Sequence, residues 1–507
     1  MIRLIVLLLM LLLSAPAHAQ TQATGFDTDL LASVQTEAFE FMVPRTMEAV
    51  SATQLAMWSL GGLTVLDPSL TVIPRDKRLQ LAVRGRVVAE MPVPAPDAPV
   101  SAWGQTVAKL VAAGFAASPV LRQLGQAEVT QSLFDDMLAH LDPYTRYIPP
   151  IEAVGDRDRR TGRAGIGITL YQRGRLVMVR DVVIGSPGAL AGIAPGDMLQ
   201  WVDGRLATGR SPAAIEEMLN GPEGTDLRLG WRGRDGSTQD TMLRRVMVPP
   251  ETVFPRRTGD VAILQITGFT QTTDLHVAQV LRDSIKGLRP VTGIILDLRG
   301  NRGGVLRTAI GTANFLLGKG VIVRSVGRAV ETNRVWLSGG SEMAAGVRIA
   351  ILVDGGTASA AEVLAAALAD RGRAVVIGSA TFGKGLVQTI DPLPDGGELF
   401  LTWSRLLAPK GWPIQSLGVL PQLCTSLGEE AVRRQMATLA AGALEMGGAL
   451  KAHRAARAPV TPDQIVAIRE WCPAADPRDG DVALARSLVE NPKLHAAALL
   501  EPFTEER

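Results

Sequence analysis

Between residues 251 and 425 short apolar runs alternate with stretches of helical spacing, and this alternation limits the fold more than any other feature of the 507-residue chain. Gly293 to Leu298 and Arg348 to Val353 are apolar runs of strand length, whereas Val305 to Leu317 and the alanine-rich Ala360 to Asp370 have helical spacing. Such a pattern predicts stacked α/β units with functional turns at the strand ends.

Two glycine-rich turns that follow apolar runs carry residues suited to chemistry. Ser359 lies in Gly355-Gly-Thr-Ala-Ser-Ala-Ala-Glu362, and Lys384 in Thr381-Phe-Gly-Lys-Gly-Leu-Val-Gln388. A serine hydroxyl at its ordinary pKa is a poor nucleophile and needs a base within hydrogen-bond reach. Histidine is not the expected base: His18 falls in a leader, and His140, His276, His453 and His495 are far from Ser359 in sequence and stand in no motif. A lysine serves once neutral, which means lowering its pKa from about 10.4 toward about 8, at roughly 3 kcal/mol, by burial among apolar groups. Phe382, Leu386 and Val387 are the expected apolar neighbours. Gln388, on the same strand face as Lys384, has an amide oxygen able to orient the ammonium.

Other readings of these residues are open on the sequence alone. Ser359-Ala-Ala-Glu362 is also a capping box, in which the serine only satisfies free amides at a helix start. A single loop lysine is ordinarily a solvated surface residue. Capping, however, requires neither the glycine-rich approach nor a matching lysine segment. Gly378-Ser-Ala-Thr-Phe-Gly-Lys-Gly385 nearly spells a phosphate-binding loop, with Ile294 to Asp297 as its magnesium strand. Yet Gly385 stands where that loop needs a Ser or Thr, and Leu386 to Ile390 favours a strand where it needs a helix.

The two segments resemble those of the C-terminal processing peptidases, or tail-specific proteases, serine endopeptidases of family S41 that carry a PDZ domain. The resemblance runs from about Leu141 to Gln422, and Lys384 follows Ser359 at the family's interval of twenty-five residues. It implies Ser359 as nucleophile, Lys384 as base and Gln388 as support. Asp297-Leu-Arg-Gly-Asn-Arg-Gly-Gly304 matches a further family turn, which implies an oxyanion hole from the amides of Gly303, Gly304 and Ala360. Thr357 and Ala361 replace family serines, Arg302 a proline, and Gln422 the usual aspartate. The implied core is a crotonase-like α/β fold.

From 159 to 250 the chain resembles a PDZ domain. Gly165-Ile166-Gly167-Ile168 corresponds to its carboxylate-binding loop, Gly185-Ser-Pro-Gly-Ala-Leu-Ala-Gly-Ile-Ala-Pro-Gly-Asp197 to its central signature, and Ser211 to Leu219 to the helix beside its groove. Backbone amides of such a loop hold a chain-terminal carboxylate while the peptide adds a strand to the sheet edge. A PDZ-shaped spacer without a ligand is the alternative.

Arg3, the apolar run Leu4 to Leu13 and Ala17-His-Ala19 read as a cleaved signal peptide over 1–19, which places the protein in the periplasm. In an oxidising compartment Cys424 and Cys472, the only two cysteines, are a disulfide candidate, with two buried thiols as the alternative. Residues 20–158 read as mainly helical, with helical spacing in Leu30 to Met42 and Val107 to Leu121 and alternation in Leu79 to Val88. That arm either self-associates into a homo-oligomer or braces the core. Residues 426–507 read as a helical tail that either packs on the core or covers its groove.

A net charge of +2 gives no reason to expect a nucleic-acid partner. No metal-ligand spacing is present, and no cofactor is expected. The sequence thus reads as a multidomain α/β protein, a periplasmic serine endopeptidase that takes proteins by free, apolar C-termini, with an activating adaptor left open. The alternative is a protein that binds C-termini through its PDZ domain and has an inactive or latent core.

Overall fold

The alternation between residues 251 and 425 builds a six-stranded sheet in the order Val253–Thr258, Val261–Ile266, Gly293–Asp297, Arg348–Val353, Ala374–Gly378, Leu423–Cys424. The first pair is antiparallel and the rest are parallel. The computed structural model describes residues 25–161, 163–183 and 185–503, so the signal peptide read at 1–19 lies outside the described residues.

Side chains of adjacent strand residues point to opposite faces, and here both faces are covered. Ile294 and Leu296 pack with Ile349, Ile351 and Val376 against Val277, Leu281, Ala313, Leu316, Val363 and Leu364 of the helices Thr273–Lys286, Leu306–Leu316 and Ala360–Asp370. Ile295, Ala350, Leu352, Val375 and Ile377 face the other way and meet Ala485, Leu488 and Val489 of the helix Asp481–Glu490. This decides between the two readings of the C-terminal region: it packs on the sheet. The polar-helical stretch Glu429 to Leu450 is two helices, Glu429–Ala440 and Gly447–Ala455, parted where Gly442 adopts a φ of +85°.

A second, five-stranded antiparallel sheet runs Arg334–Ser338, Gly320–Val326, Glu398–Leu407, Leu386–Pro392, with Arg146–Ile148 also paired to Glu398–Leu407. The residues after Lys384 are therefore strand, as their composition predicts, and the phosphate-loop reading loses its helix.

Residues 168–244 fold around a separate core that includes Leu170, Val179, Leu199, Ile215, Leu229 and Trp231. Their sheet is antiparallel in the order Thr238–Arg244, Asp226–Arg232, Met198–Val202, Leu176–Val182, Ile168–Arg173, with Arg205–Leu206 beside Met198–Val202. Ile168–Arg173 is an edge strand, and the helix Pro212–Leu219 packs beside it. Ser211 caps that helix by accepting from the Ala214 amide.

Of the N-terminal region read as 20–158, the described residues up to Glu37 and Ala52 to Met137 form a unit of their own, in which helices Ala52–Leu66 and Val100–Ala117 pack with a three-stranded antiparallel sheet, Leu70–Arg75, Arg78–Val83 and Arg86–Pro92. Residues 38–51 and 138–158 group instead with the rest of the chain, the latter because Arg146–Ile148 joins the five-stranded sheet. The helix expected to run to Leu121 stops at Ser118, whose hydroxyl accepts from the Leu121 amide and starts a new helix, Pro119–Leu124.

Cys424 and Cys472 form a disulfide with a Cα–Cα distance of 5.8 Å. Closing a loop whose ends lie 48 residues apart is worth about 4 kcal/mol by chain entropy. We expect the oxidised, denatured protein to show no reactive thiol and the reduced protein to show two, with a lower melting temperature. Two reactive thiols before reduction would overturn the pairing.

Candidate active site

Ser359 sits at the turn between the strand Arg348–Val353 and the helix Ala360–Asp370, with φ +57° and ψ −120°. A non-glycine residue in that region costs on the order of 1–3 kcal/mol and persists only where its surroundings over-determine it. They do so here. Asp354 Oδ1 accepts from the amides of Gly356 and Thr357 and from the Thr357 hydroxyl, and the Ala358 amide donates to the Asn301 carbonyl. The Ser359 amide donates to Glu362 Oε2 at 2.7 Å.

Glu362 does more than the capping reading assigns to it. Its carboxylate is fully buried and takes four donors: the Thr381 hydroxyl and the Gly383 amide at Oε1, and the amides of Ser359 and Lys384 at Oε2. One buried oxygen thus ties the nucleophile turn to the lysine turn. Burial holds this carboxyl above the usual range, with the four donors opposing it in part. Since every partner is a donor, the arrangement suits the ionised form.

Ser359, Lys384 and Gln388 line one cavity of about 480 Å³, together with Gly303, Gly304, Leu386, Val387 and Phe400. Burial, and then the charge of Arg146, lower the Lys384 pKa, while Asp142 opposes them. The expected apolar neighbours are only partly right: Leu386 and Val387 line the cavity, but Phe382 is 48 % exposed and does not. The ring beneath the ammonium is Tyr144, 4.9 Å from Nζ to the ring centre.

Gln388 is oriented by its neighbours. Its side-chain nitrogen donates to the Thr402 hydroxyl at 3.0 Å and the Leu386 carbonyl at 3.3 Å, and Thr402 donates to Asp142 Oδ1 at 2.7 Å. The amide oxygen is left without a hydrogen bond among the described residues, and the network contains no bond from Gln388 to Lys384 itself.

The oxyanion turn sorts its glycines. Asn301, fully buried, accepts from the Gly303 amide at 2.8 Å and donates to the Ile266 carbonyl. The Gly303 amide is therefore committed, against the expectation that it serves the oxyanion. The amides of Gly304 and Ala360 take no partner among the described residues, and Ala360, as the first residue of its helix, has no intrahelical acceptor. Gly303 must be glycine: its φ is +94°, and a Cβ there would lie 2.7 Å from Ser359 Cβ.

Gln422, in place of the usual aspartate, is a buried structural residue that accepts from the Val376 amide and donates to the Ala374 carbonyl. No described histidine lines the cavity. His453 Nε2 meets the Gly418 carbonyl and His495 Nε2 the Ile349 carbonyl, and burial lowers His453 to a pKa of about 4.

In the 163–248 region the carbonyls of Ile166 and Gly167 accept from Gly188 and Val183. The amides of these two loop residues take no partner among the described residues. Ile166 is buried, and Gly167, with φ +75°, packs against Ser186, where a Cβ would lie 2.2 Å away. Gly165 pairs with Val246 and Ile168 with Val182. On the neighbouring edge strand the Leu170 amide donates to Glu216 Oε1 of the adjoining helix.

Sequence reasoning missed Asp142, Tyr144 and Arg146 as parts of the site, included Asn301 in the oxyanion turn without assigning it a role, and read Glu362 only as a cap. The signal for the first three was Leu141-Asp-Pro-Tyr-Thr-Arg-Tyr147, a polar turn that opens the resembling stretch.

Comparison with known proteins identifies the family. The model of peptidase family S41 matches residues 260–424, which hold both the Ser359 and the Lys384 turns. A carboxy-terminal-processing protease of Bartonella bacilliformis is 32% identical over 302 residues, 58% of this chain and 69% of that protein. A "probable CtpA-like serine protease" of Staphylococcus aureus is 32% identical over 300 residues, and the chain spans 60% of its length. Among solved structures, the photosystem II D1 C-terminal processing protease aligns over 75% of this chain and 97% of its own at 25% identity and a TM-score of 0.38. The PDZ domain of a carboxy-terminal protease from Vibrio cholerae, solved with a peptide, aligns over 17% of this chain and 98% of its own at 23% identity and a TM-score of 0.16. With the Bartonella protein matched across more than two thirds of its length, the chain belongs to peptidase family S41, as a serine peptidase of the carboxy-terminal-processing kind.

Proposed function

We propose that the protein is a periplasmic endopeptidase that takes proteins by their free C-termini on a PDZ domain over 159–250 and cleaves them with a Ser359–Lys384 dyad in a crotonase-like core. The observation that carries the reading is the single cavity lined by Ser359 and by a lysine whose pKa is lowered by burial. Neutral Lys384 takes the proton of the Ser359 hydroxyl as its oxygen attacks the scissile carbonyl, and returns it to the leaving amine. The tetrahedral oxyanion is met by the amides of Gly304 and Ala360, aided by the positive end of the Ala360–Asp370 helix. Water then hydrolyses the acyl-enzyme with Lys384 as base.

The amides of Ile166 and Gly167, unpartnered among the described residues, and the edge strand Ile168–Arg173 support capture of a C-terminus by strand addition. An incoming peptide that pairs with Leu170 has to displace Glu216 from its amide. The Cys424–Cys472 disulfide supports export to an oxidising compartment.

The test is cleavage of an unstructured protein ending in an apolar tail, followed by mass spectrometry beside a Ser359→Ala variant. Amidating the tail removes its carboxylate and is expected to lower kcat/KM about tenfold or more, the worth of hydrogen bonds to a charged group. Tail binding by both proteins with cleavage by neither would favour the C-terminus-binding alternative.

A further inference from the structure

Among the described residues, the cavity that holds Ser359 is lined by three cationic side chains, Arg146, Arg302 and Lys384, and by no aspartate or glutamate. Lys384 is occupied in the mechanism proposed above. The two arginines are not, and neither meets a carboxylate among the described residues. The guanidinium carbon of Arg146 lies over the Phe400 ring, 4.2 Å from its centre, and among the described residues the side chain donates only to the Tyr144 carbonyl at 3.3 Å. Arg302 is exposed and sits between buried Asn301, whose side chain bonds the Ile266 carbonyl and the Gly303 amide, and Gly303, where a Cβ would lie 2.7 Å from Ser359 Cβ. Its backbone is thus fixed beside the reacting atoms while its guanidinium is free.

We infer that this cavity selects peptides bearing an aspartate or glutamate side chain close to the scissile bond, held by Arg302 and Arg146. The planar guanidinium pairs bidentately with a carboxylate, and the contact with Phe400 restricts where the Arg146 guanidinium sits before a peptide arrives. The low-dielectric lining of Phe269, Leu386, Val387 and Phe400 weakens solvent screening of the pair. This inference rests on the peptidase reading and names its substrate class.

The test uses the full mature chain and peptides with amidated C-termini, so that tail capture does not contribute. A single residue near the mapped cleavage site is varied among Glu, Gln and Lys. Wild-type kcat/KM should favour Glu over Gln about fivefold at low salt, with Lys below Gln, and the ratio should shrink as salt is added. In an Arg302→Gln, Arg146→Gln double variant the Glu-to-Gln ratio should fall to about one. Any effect of Arg146 on Lys384 acts on all the peptides alike and cancels in that ratio. Equal rates for Glu and Gln in the wild type, or a preference that survives the double variant, overturns the inference and leaves the peptidase reading intact. Affinities of the same peptides for Ser359→Ala, read by fluorescence anisotropy, separate the two ideas. A charge preference in binding with no cleavage by the wild type would sink the peptidase reading and uphold the acidic subsite.

Discussion

Replacing Ser359 by alanine should leave the protein folded and lower peptide hydrolysis by about a million-fold, the size of effect seen when a serine nucleophile is removed. The turn around it is held by bonds of Asp354, Thr357, Asn301 and the Glu362 carboxylate that do not involve the Ser359 hydroxyl, so a folded protein is expected beside the loss, with a melting temperature lowered at most by the share the hydroxyl has in capping the Ala360–Asp370 helix. Lys384→Ala should cost on the order of 10²–10⁴, the usual worth of a general base. Lys384→Arg should be no better, because a guanidinium does not give up its proton near neutrality. The base must be uncharged, so activity should rise with pH through the Lys384 pKa. That limb should lie below the roughly 10.4 of an ordinary lysine. Arg146→Gln removes a charge that disfavours the ammonium, and should move the limb to higher pH. Hydrolysis surviving in Ser359→Ala would place the nucleophile elsewhere, and a limb unmoved by Arg146→Gln would take that charge out of the account.

Glu362→Gln should lower both stability and kcat while leaving KM nearly unchanged. The carboxylate accepts four bonds, and a glutamine offers only one oxygen, so in either orientation its NH₂ faces two of the four donors. Leaving two buried donors unsatisfied costs about 2–6 kcal/mol, partly offset because a buried charge is removed as well. Glu362 does not line the cavity, so ground-state peptide binding has no direct reason to change. The alignment of Ser359 and Lys384 does, and a misplacement of about 1 Å is worth roughly 10²-fold in rate. Assayed well below its melting temperature, the variant should bind peptide normally and react slowly with a serine-directed phosphonylating probe. Wild-type labelling in a destabilised variant would reduce Glu362 to a packing residue.

The turns that carry Ser359 and Lys384 were legible because their glycines and flanking apolar runs are local patterns, and so were the strand after Lys384 and the alternation of strand and helix. What stayed hidden depends on partners remote in sequence. Glu362 reads as a helix cap because its link to Ser359 is three residues long, whereas its link to Lys384 appears only when two strand ends meet. Gly303 and Gly304 are equivalent on paper, and Asn301 separates them by accepting from one amide. Phe382 looks the better cover for Lys384, yet Tyr144 lies under the ammonium, brought from about 240 residues away by the pairing of Arg146–Ile148 with Glu398–Leu407.

The family match ends at residue 424, but the fold does not. Arg469 donates to the carbonyls of Thr381 and Leu417, on the approach to Lys384, three residues before the half-cystine at 472. The helix Asp481–Glu490 covers the second face of the catalytic sheet. A unit that keeps both faces of this sheet covered is therefore longer than the segment matched by the family model. A chain cut at the family boundary would bare Ile263, Ile295, Leu352 and Ile377 to water, turning a catalytic core into an adhesive surface.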